Sequence, residues 1–251
     1  MKTMIEVKNV YKSFQLADAT VEVLKNINLK VEKGEFISIM GPSGSGKSTL
    51  LYLMGGLDKV TRGSIRIQGV EMQNLNDETE SRMRRNDIGF VFQAYNLIDN
   101  LTLEENILLP ALLEGKKKKD VLKKAEELMN TVGIIKRRNH TPKELSGGEQ
   151  QRTAIARALI NDPAILFADE PIGNLDSKSG KEVLELLRSI NRDKGITILM
   201  VTHSEESTHY GKRIIRLKDG EVVSAAGSDG ESIQETGTPL PFGEGVLAAS
   251  S

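Results

Sequence analysis

The chain has 251 residues, with 34 Lys+Arg against 35 Asp+Glu and a formal net charge of −1. That balance gives no bulk attraction for nucleic acid or anionic lipid, and the absence of cysteine excludes disulfides, thiolate nucleophiles and cysteine-ligated metal centres. At 38% apolar and 27% charged residues the composition is that of a soluble globular protein, long enough for one or two domains.

The N-terminus, Met1-Lys2-Thr3-Met4-Ile5-Glu6-Val7, reaches charge before a signal-peptide apolar region can form. Apolar runs such as Ile196–Val201 fall far short of the ~18 residues that a membrane span needs, so any membrane role is expected to come through a partner.

Short β-rich runs alternate with helical ones. The pattern predicts strands at Ile5–Val10, Val21–Leu24, Ile27–Val31, Phe36–Met40, Ser64–Ile67, Gly89–Phe92, Ile165–Ala168, Thr197–Thr202 and Arg213–Leu217. The early strands lie close together with polar turns, which predicts an antiparallel portion. Ile165–Ala168 and Thr197–Val201 are apolar runs on either side of a helical stretch, Lys178–Asp193, as strands of a doubly covered parallel sheet are. The middle, about Tyr95 to Glu144, has no strand signal and is read as a mostly helical subdomain inserted in an α/β core. Within it, Lys116–Lys119 sits beside Asp120, Glu126 and Glu127 without interleaved aromatics, which fits a solvated helix start. From Ser224 onward Gly, Ser, Ala and acids take over, and residues 225–251 are expected to be a disordered tail.

Gly41-Pro42-Ser43-Gly44-Ser45-Gly46-Lys47-Ser48-Thr49 matches the phosphate-loop pattern G-x-x-x-x-G-K-[ST]. A buried strand precedes it and a helix, Lys47–Leu57, opens at its end. Glycines let the backbone N–H groups close on phosphate oxygens, and the helix N-terminus adds partial positive charge. Lys47 is then placed to neutralise the β- and γ-phosphates, and the Ser48 hydroxyl to ligate Mg²⁺.

Ile165-Leu166-Phe167-Ala168-Asp169-Glu170 is an apolar strand ending in two acids. Alternation along a strand sends the two side chains to different sides. One can hold Mg²⁺ while the other faces an attacking water.

Leu145-Ser146-Gly147-Gly148-Glu149-Gln150-Gln151-Arg152 resembles the signature segment of ABC (ATP-binding cassette) ATPases. Order and spacing elsewhere agree, over about Ile5 to Ser224. Gln93 resembles the Q-loop glutamine, Asn174-Leu175-Asp176 the D-loop and His203 the switch histidine. Phe14 stands where the family places an aromatic that stacks on adenine, with Tyr11 a nearby competitor. The resemblance implies a P-loop NTPase (RecA-like) core with an N-terminal antiparallel β subdomain and an inserted helical subdomain, together spanning residues 1–224. It implies ATP hydrolysis with Glu170, His203, Lys47 and Gln93 as catalytic residues, and Ser48, Gln93 and Asp169 at the metal. Nucleotide contacts would come from Phe14, Gly41–Thr49, Ser146, Gly147, Gly148, Glu149 and Asp176. Each motif occurs once, so the resemblance implies two cassettes, a homodimer or related heterodimer, sandwiching two ATP molecules head to tail. Two positions depart from the family pattern: Ile172 replaces a usual Thr before the D-loop, and Ser204 replaces a usual Asp after His203.

The implied function is the ATPase subunit of a transporter, peripheral on the cytoplasmic face of the cell membrane through a multispan permease, with no nucleic-acid partner. Gly89–Gln93, Asn96-Leu97-Ile98, Glu105-Asn106-Ile107 and Ser146–Arg152 resemble the macrolide-exporter, lipoprotein-releasing and antimicrobial-peptide-resistance subgroup. An ATPase of a solute importer is the alternative. A soluble ABC ATPase acting on DNA or ribosomes is opposed by the mere fifty or so residues between Gln93 and Leu145, and a non-hydrolysing regulator by the intact Lys47, Glu170 and His203.

Overall fold

The computed structural model describes residues 2–17 and 19–227. Two sheets enclose the Lys47–Met54 helix (α1). The first is antiparallel and built from β1 (Thr3–Leu16), β2 (Ala19–Glu32), β4 (Arg62–Ile67) and β5 (Val70–Glu71), in the order β2-β1-β4-β5. The second holds β3 (Phe36–Met40), β6 (Ile88–Val91), β7 (Ile165–Asp169), β8 (Thr197–Thr202), β9 (Arg213–Lys218) and β10 (Glu221–Gly227). Its order is β10-β9-β3-β8-β7-β6, parallel except for β10.

Alternation along the parallel strands divides the core in two. Ile37, Ile39, Ile165, Phe167, Leu199 and Val201 face α1 and the antiparallel sheet. Phe36, Leu166, Ala168, Ile198 and Met200 face the opposite way, toward α5 (Gly147–Leu159) and α6 (Ser177–Lys194). Apolar burial on both faces drives the assembly at roughly 25 cal/mol per Å².

The middle segment forms α3 (Leu103–Leu113) and α4 (Lys118–Thr131), followed by short 3₁₀ turns at Ile135–Arg137 and Pro142–Glu144. Lys118 opens α4, within the run read as a helix start. Buried Asn106 shapes the entry to α3: its side chain accepts from Ile98 N and donates to the carbonyls of Ile98, Leu101 and Thr102. Of the apolar residues between Gln93 and Pro110, Leu103, Ile107 and Leu108 are core, whereas Ile98 is exposed.

Three features differ from the sequence expectation. The two first predicted strand segments and their neighbour are one long hairpin, interrupted by bulges. A helix, α2 (Asp77–Asp87), stands where none was expected. β10 pairs with β9 and carries the fold to Gly227, beyond the expected boundary at residue 224, because the Ala-Ala-Gly end of the segment adds its backbone to a sheet edge. The rest of the expected tail lies outside the described residues. A short helix, α7 (Glu205–Thr208), follows β8.

Candidate active site

The phosphate loop leaves the carboxyl end of β3, the position where open α/β sheets place their ligand sites. Its tightness is steric: a Cβ at Gly41 would lie 2.1 Å from the Leu217 carbonyl oxygen and 2.7 Å from Ser45 Oγ. Gly46, at φ 94°, caps α1 without a side-chain bond, so the first N–H groups of that helix face the loop. Lys47 is 5% exposed and donates to Pro42 O at 2.9 Å, the loop's own carbonyl. Burial pushes its ammonium below the usual lysine range, against the opposing pull of Glu170 and then Asp169. Ser45 Oγ is buried with no hydrogen-bond partner. A buried cation and an orphaned hydroxyl around a closed turn fit a phosphate group that would satisfy both.

Asp169 ends β7 beside this loop. Ser48 Oγ donates to its Oδ1 at 2.8 Å, and the Tyr52 hydroxyl donates to its Oδ2 at 2.6 Å. Glu170 turns the other way. Its backbone is left-handed, φ 47°, and its carboxylate meets His203 Nε2 at the end of β8. Its N–H donates to Val201 O at 3.1 Å, tying the turn to that neighbouring strand. The two acids thus serve separate sides, one toward α1 and one toward His203.

Among the described residues no group of three or more His, Asp or Glu is able to enclose a metal ion by itself. Ser48 and Asp169 instead offer hard oxygens beside a phosphate cradle. That donor set fits Mg²⁺, which commonly combines one or two carboxylates with substrate phosphates and water.

The remaining predicted residues lie in three places. Phe14 is 38% exposed, with Lys12 Nζ 4.6 Å from its ring centroid. Lys12 is fixed there by Asp58 Oδ1 at 2.7 Å and Lys59 O at 2.8 Å. The Tyr11 ring carries the Arg62 guanidinium at 4.2 Å. Phe14 is thus partly open to solvent with a cation near its ring.

The Gln93 side chain is held by the segment before Asp176. Its Nε2 donates to Asn174 Oδ1 at 3.3 Å, and Asn174 Nδ2 donates to Gln93 O at 3.0 Å. The glutamine assigned to the metal is engaged instead by the segment leading to Asp176. Asp176 itself caps α6, accepting from Lys178 N and Ser179 N at 3.0 Å each. Ile172 packs beside Gly180 of that helix, and Ser204 caps α7, a role an Asp would fill equally.

Ser146 caps α5 in a reciprocal box: Glu149 N donates to Ser146 Oγ at 3.3 Å, and Ser146 N and Oγ each donate to Glu149 Oε2 at 2.9 Å. Arg137 Nε binds the other Glu149 oxygen at 3.1 Å. Among the described residues no hydrogen bond or ion pair joins residues 146–149 to the phosphate loop of the same chain.

Tyr52 escaped the sequence reading altogether. Its place four residues after Ser48 on a helix was the available signal, since that spacing repeats one helix face.

Residues 24–173 match the family model described as ABC transporter. An ABC transporter ATP-binding protein of Methanocaldococcus jannaschii is 51% identical over 220 residues, covering 88% of this chain and 98% of that one. The macrolide export ATP-binding/permease protein MacB of Bdellovibrio bacteriovorus is 49% identical over 222 residues, covering 88% of this chain but 34% of the relative. A solved ATP-binding cassette, dimeric in a post-hydrolysis state bound to ADP and Pi, superposes with a TM-score of 0.84 at 44% identity, covering 90% of this chain and 99% of that one. With a phosphate loop, paired acids and a second capped helix in one α/β frame, the chain belongs to the ABC transporter family, as an ATP-hydrolysing ATP-binding subunit of the macrolide-exporter, lipoprotein-releasing and antimicrobial-peptide-resistance type.

Proposed function

We propose that two copies of this chain, or one with a close relative, bind two ATP molecules head to tail and hydrolyse them to drive a multispan permease in export or antimicrobial-peptide resistance. The terminal phosphates rest in the Gly41–Thr49 loop of one copy. Ser146–Glu149 of the other copy closes over the γ-phosphate with the positive end of α5. That no hydrogen bond or ion pair joins those two segments within one chain, among the described residues, supports this reading, as does the dimeric cassette with ADP and Pi. Phe14 stacks on the adenine, its far face held by Lys12.

Ser48 and Asp169 would hold Mg²⁺, which when bound neutralises charge on the β- and γ-phosphates. Glu170 orients a water and takes its proton as the water oxygen bonds to the γ-phosphorus. The bond from that phosphorus to the bridging oxygen breaks, leaving ADP and phosphate. His203 holds Glu170 in line. Gln93 leaves Asn174 to meet the γ-phosphate side of the site.

No helix among the described residues is long and apolar enough to cross a membrane. The spanning portion is a permease that works with this ATP-binding portion, and the macrolide export ATP-binding/permease relative supports that pairing. Its contact runs along Gln93 to Pro110, where Ile98 is exposed, on the cytoplasmic face of the membrane. Nucleic acid has no part in it.

The observation that carries the reading is the division between Asp169, bound to Ser48, and Glu170, bound to His203. Glu170→Gln tests it. The variant should bind ATP, lose most phosphate release and accumulate an ATP-bound dimer. Unchanged turnover would remove Glu170 from its role.

A further inference from the structure

Asp169 has both carboxylate oxygens engaged by one helix. Ser48 holds Oδ1 at 2.8 Å and Tyr52, one turn later on α1, holds Oδ2 at 2.6 Å. The tyrosine is itself braced. Its ring lies 6.4 Å from that of Phe92 at 57°. Phe92 stacks on Phe90 at 5.5 Å, and Phe90 on Phe167 at 5.2 Å, so a ladder of rings roots the phenol in β6 and β7. Burial first, then the bond to Asp169, raises the phenol's pKa well above its ordinary value, so the hydroxyl remains a donor.

A carboxylate tethered through one oxygen swings about its terminal torsion, which is broad for an sp³–sp² bond. A second tether on the other oxygen fixes the plane. Outer-shell partners of this kind orient a ligand before the ion arrives, and their loss typically weakens metal affinity by ~10–100-fold. We propose that Tyr52 is a positioning residue that locks the Asp169 carboxylate so that Oδ1, beside Ser48, is presented to a hard divalent cation at the phosphates. This rests on the proposed role of Asp169 at the cation.

The test uses the Glu170→Gln chain, expected to lose most turnover, and measures ATP affinity in EDTA and across a Mg²⁺ titration, with a melting curve for each variant. Tyr52→Phe keeps the ring ladder and removes only the donor. It should leave the EDTA affinity and melting temperature unchanged and raise the Mg²⁺ concentration at half effect about 10-fold. Tyr52→Leu, which also removes the ring, should shift the Mg²⁺ curve at least as far and melt earlier. Superimposable Mg²⁺ curves for Tyr52→Phe and its parent would overturn the proposal. An equal loss with and without Mg²⁺ would also do so, because that is the mark of packing alone. A parent whose ATP affinity ignores Mg²⁺ sinks the cation reading first, before any Tyr52 variant is compared.

Discussion

His203 Nε2 and the Glu170 carboxylate meet across the carboxyl ends of two adjacent parallel strands, β8 and β7. The strand pairing sets Asp169 opposite Val201, and the Glu170 N–H binds the Val201 carbonyl, so backbone and side chain fix the acid together. His203→Ala leaves that backbone bond and frees the carboxylate to swing. A misplaced catalytic group commonly costs about 10²-fold in rate, and turnover should fall by about that much. Phosphate release should show it, with ATP affinity by calorimetry little changed.

Lys47 is buried and, among the described residues, has a single hydrogen-bond acceptor, the Pro42 carbonyl. Under the proposed function, phosphate oxygens would supply further partners. Lys47→Ala should weaken ATP binding by ~10–100-fold, the usual worth of a hydrogen bond to a charged group. The melting temperature of the nucleotide-free variant should not fall, because a partly satisfied buried charge is removed. Calorimetry and thermal melts measure the two effects separately.

Ser146 works within its own chain as a helix cap and, in the proposed dimer, across the seam. Ser146→Ala should cost about 1 kcal/mol of stability, typical of a lost N-cap. Denaturant unfolding reads that cost. In the Glu170→Gln background the same change should reduce the ATP-dependent dimer seen by light scattering. A full dimer at wild-type ATP concentrations would leave Ser146 a cap and nothing more.

Three glutamates close reciprocal caps in and beside the helical subdomain: Glu105 with Thr102, Glu144 with Thr141, and Glu149 with Ser146. In each, the bond from the cap's backbone N–H is the main cause holding the carboxyl below its ordinary 4.5. A depressed acid stabilises the fold above its unfolded value and ceases to do so as pH falls through the folded one. Acidification below about 4.5 should therefore raise amide exchange at Thr102, Thr141 and Ser146 before exchange rises in β3, β7 and β8. Uniform loss of protection would contradict this order.

The phosphate loop was legible because its geometry is local: nine consecutive residues, closed by glycine against strand and helix. β3, β7 and β8 were legible as apolar runs, since both their faces are covered. The long hairpin read as fragments because Asn9 and Asn26 take left-handed conformations at its bulges and flip the alternation. α2 was missed because its signal is charge, Asp77, Glu78 and Glu80 at one end and Arg84 and Arg85 at the other, with almost no apolar stripe. Tyr52 was missed for another reason. Helical spacing sets it on the Ser48 face, but its partner, Asp169, lies 117 residues away, and that contact is made only by folding. Gln93 and Asp176 were found as motif members, yet their bonds here, to Asn174 and to the α6 N-terminus, follow from loop geometry.

The left-handed turn at Glu170 sets conformational ease against chemistry. Any side chain bearing a Cβ is strained there by ~1–2 kcal/mol, and glycine alone is spared. A mutation to glycine at this position should relax the backbone and, under the proposed mechanism, abolish turnover in one step. In the proposed mechanism, the work of the carboxylate on the attacking water is what offsets that strain. A copy released from that duty would drift downhill into a sturdier, inert clasp for nucleotide.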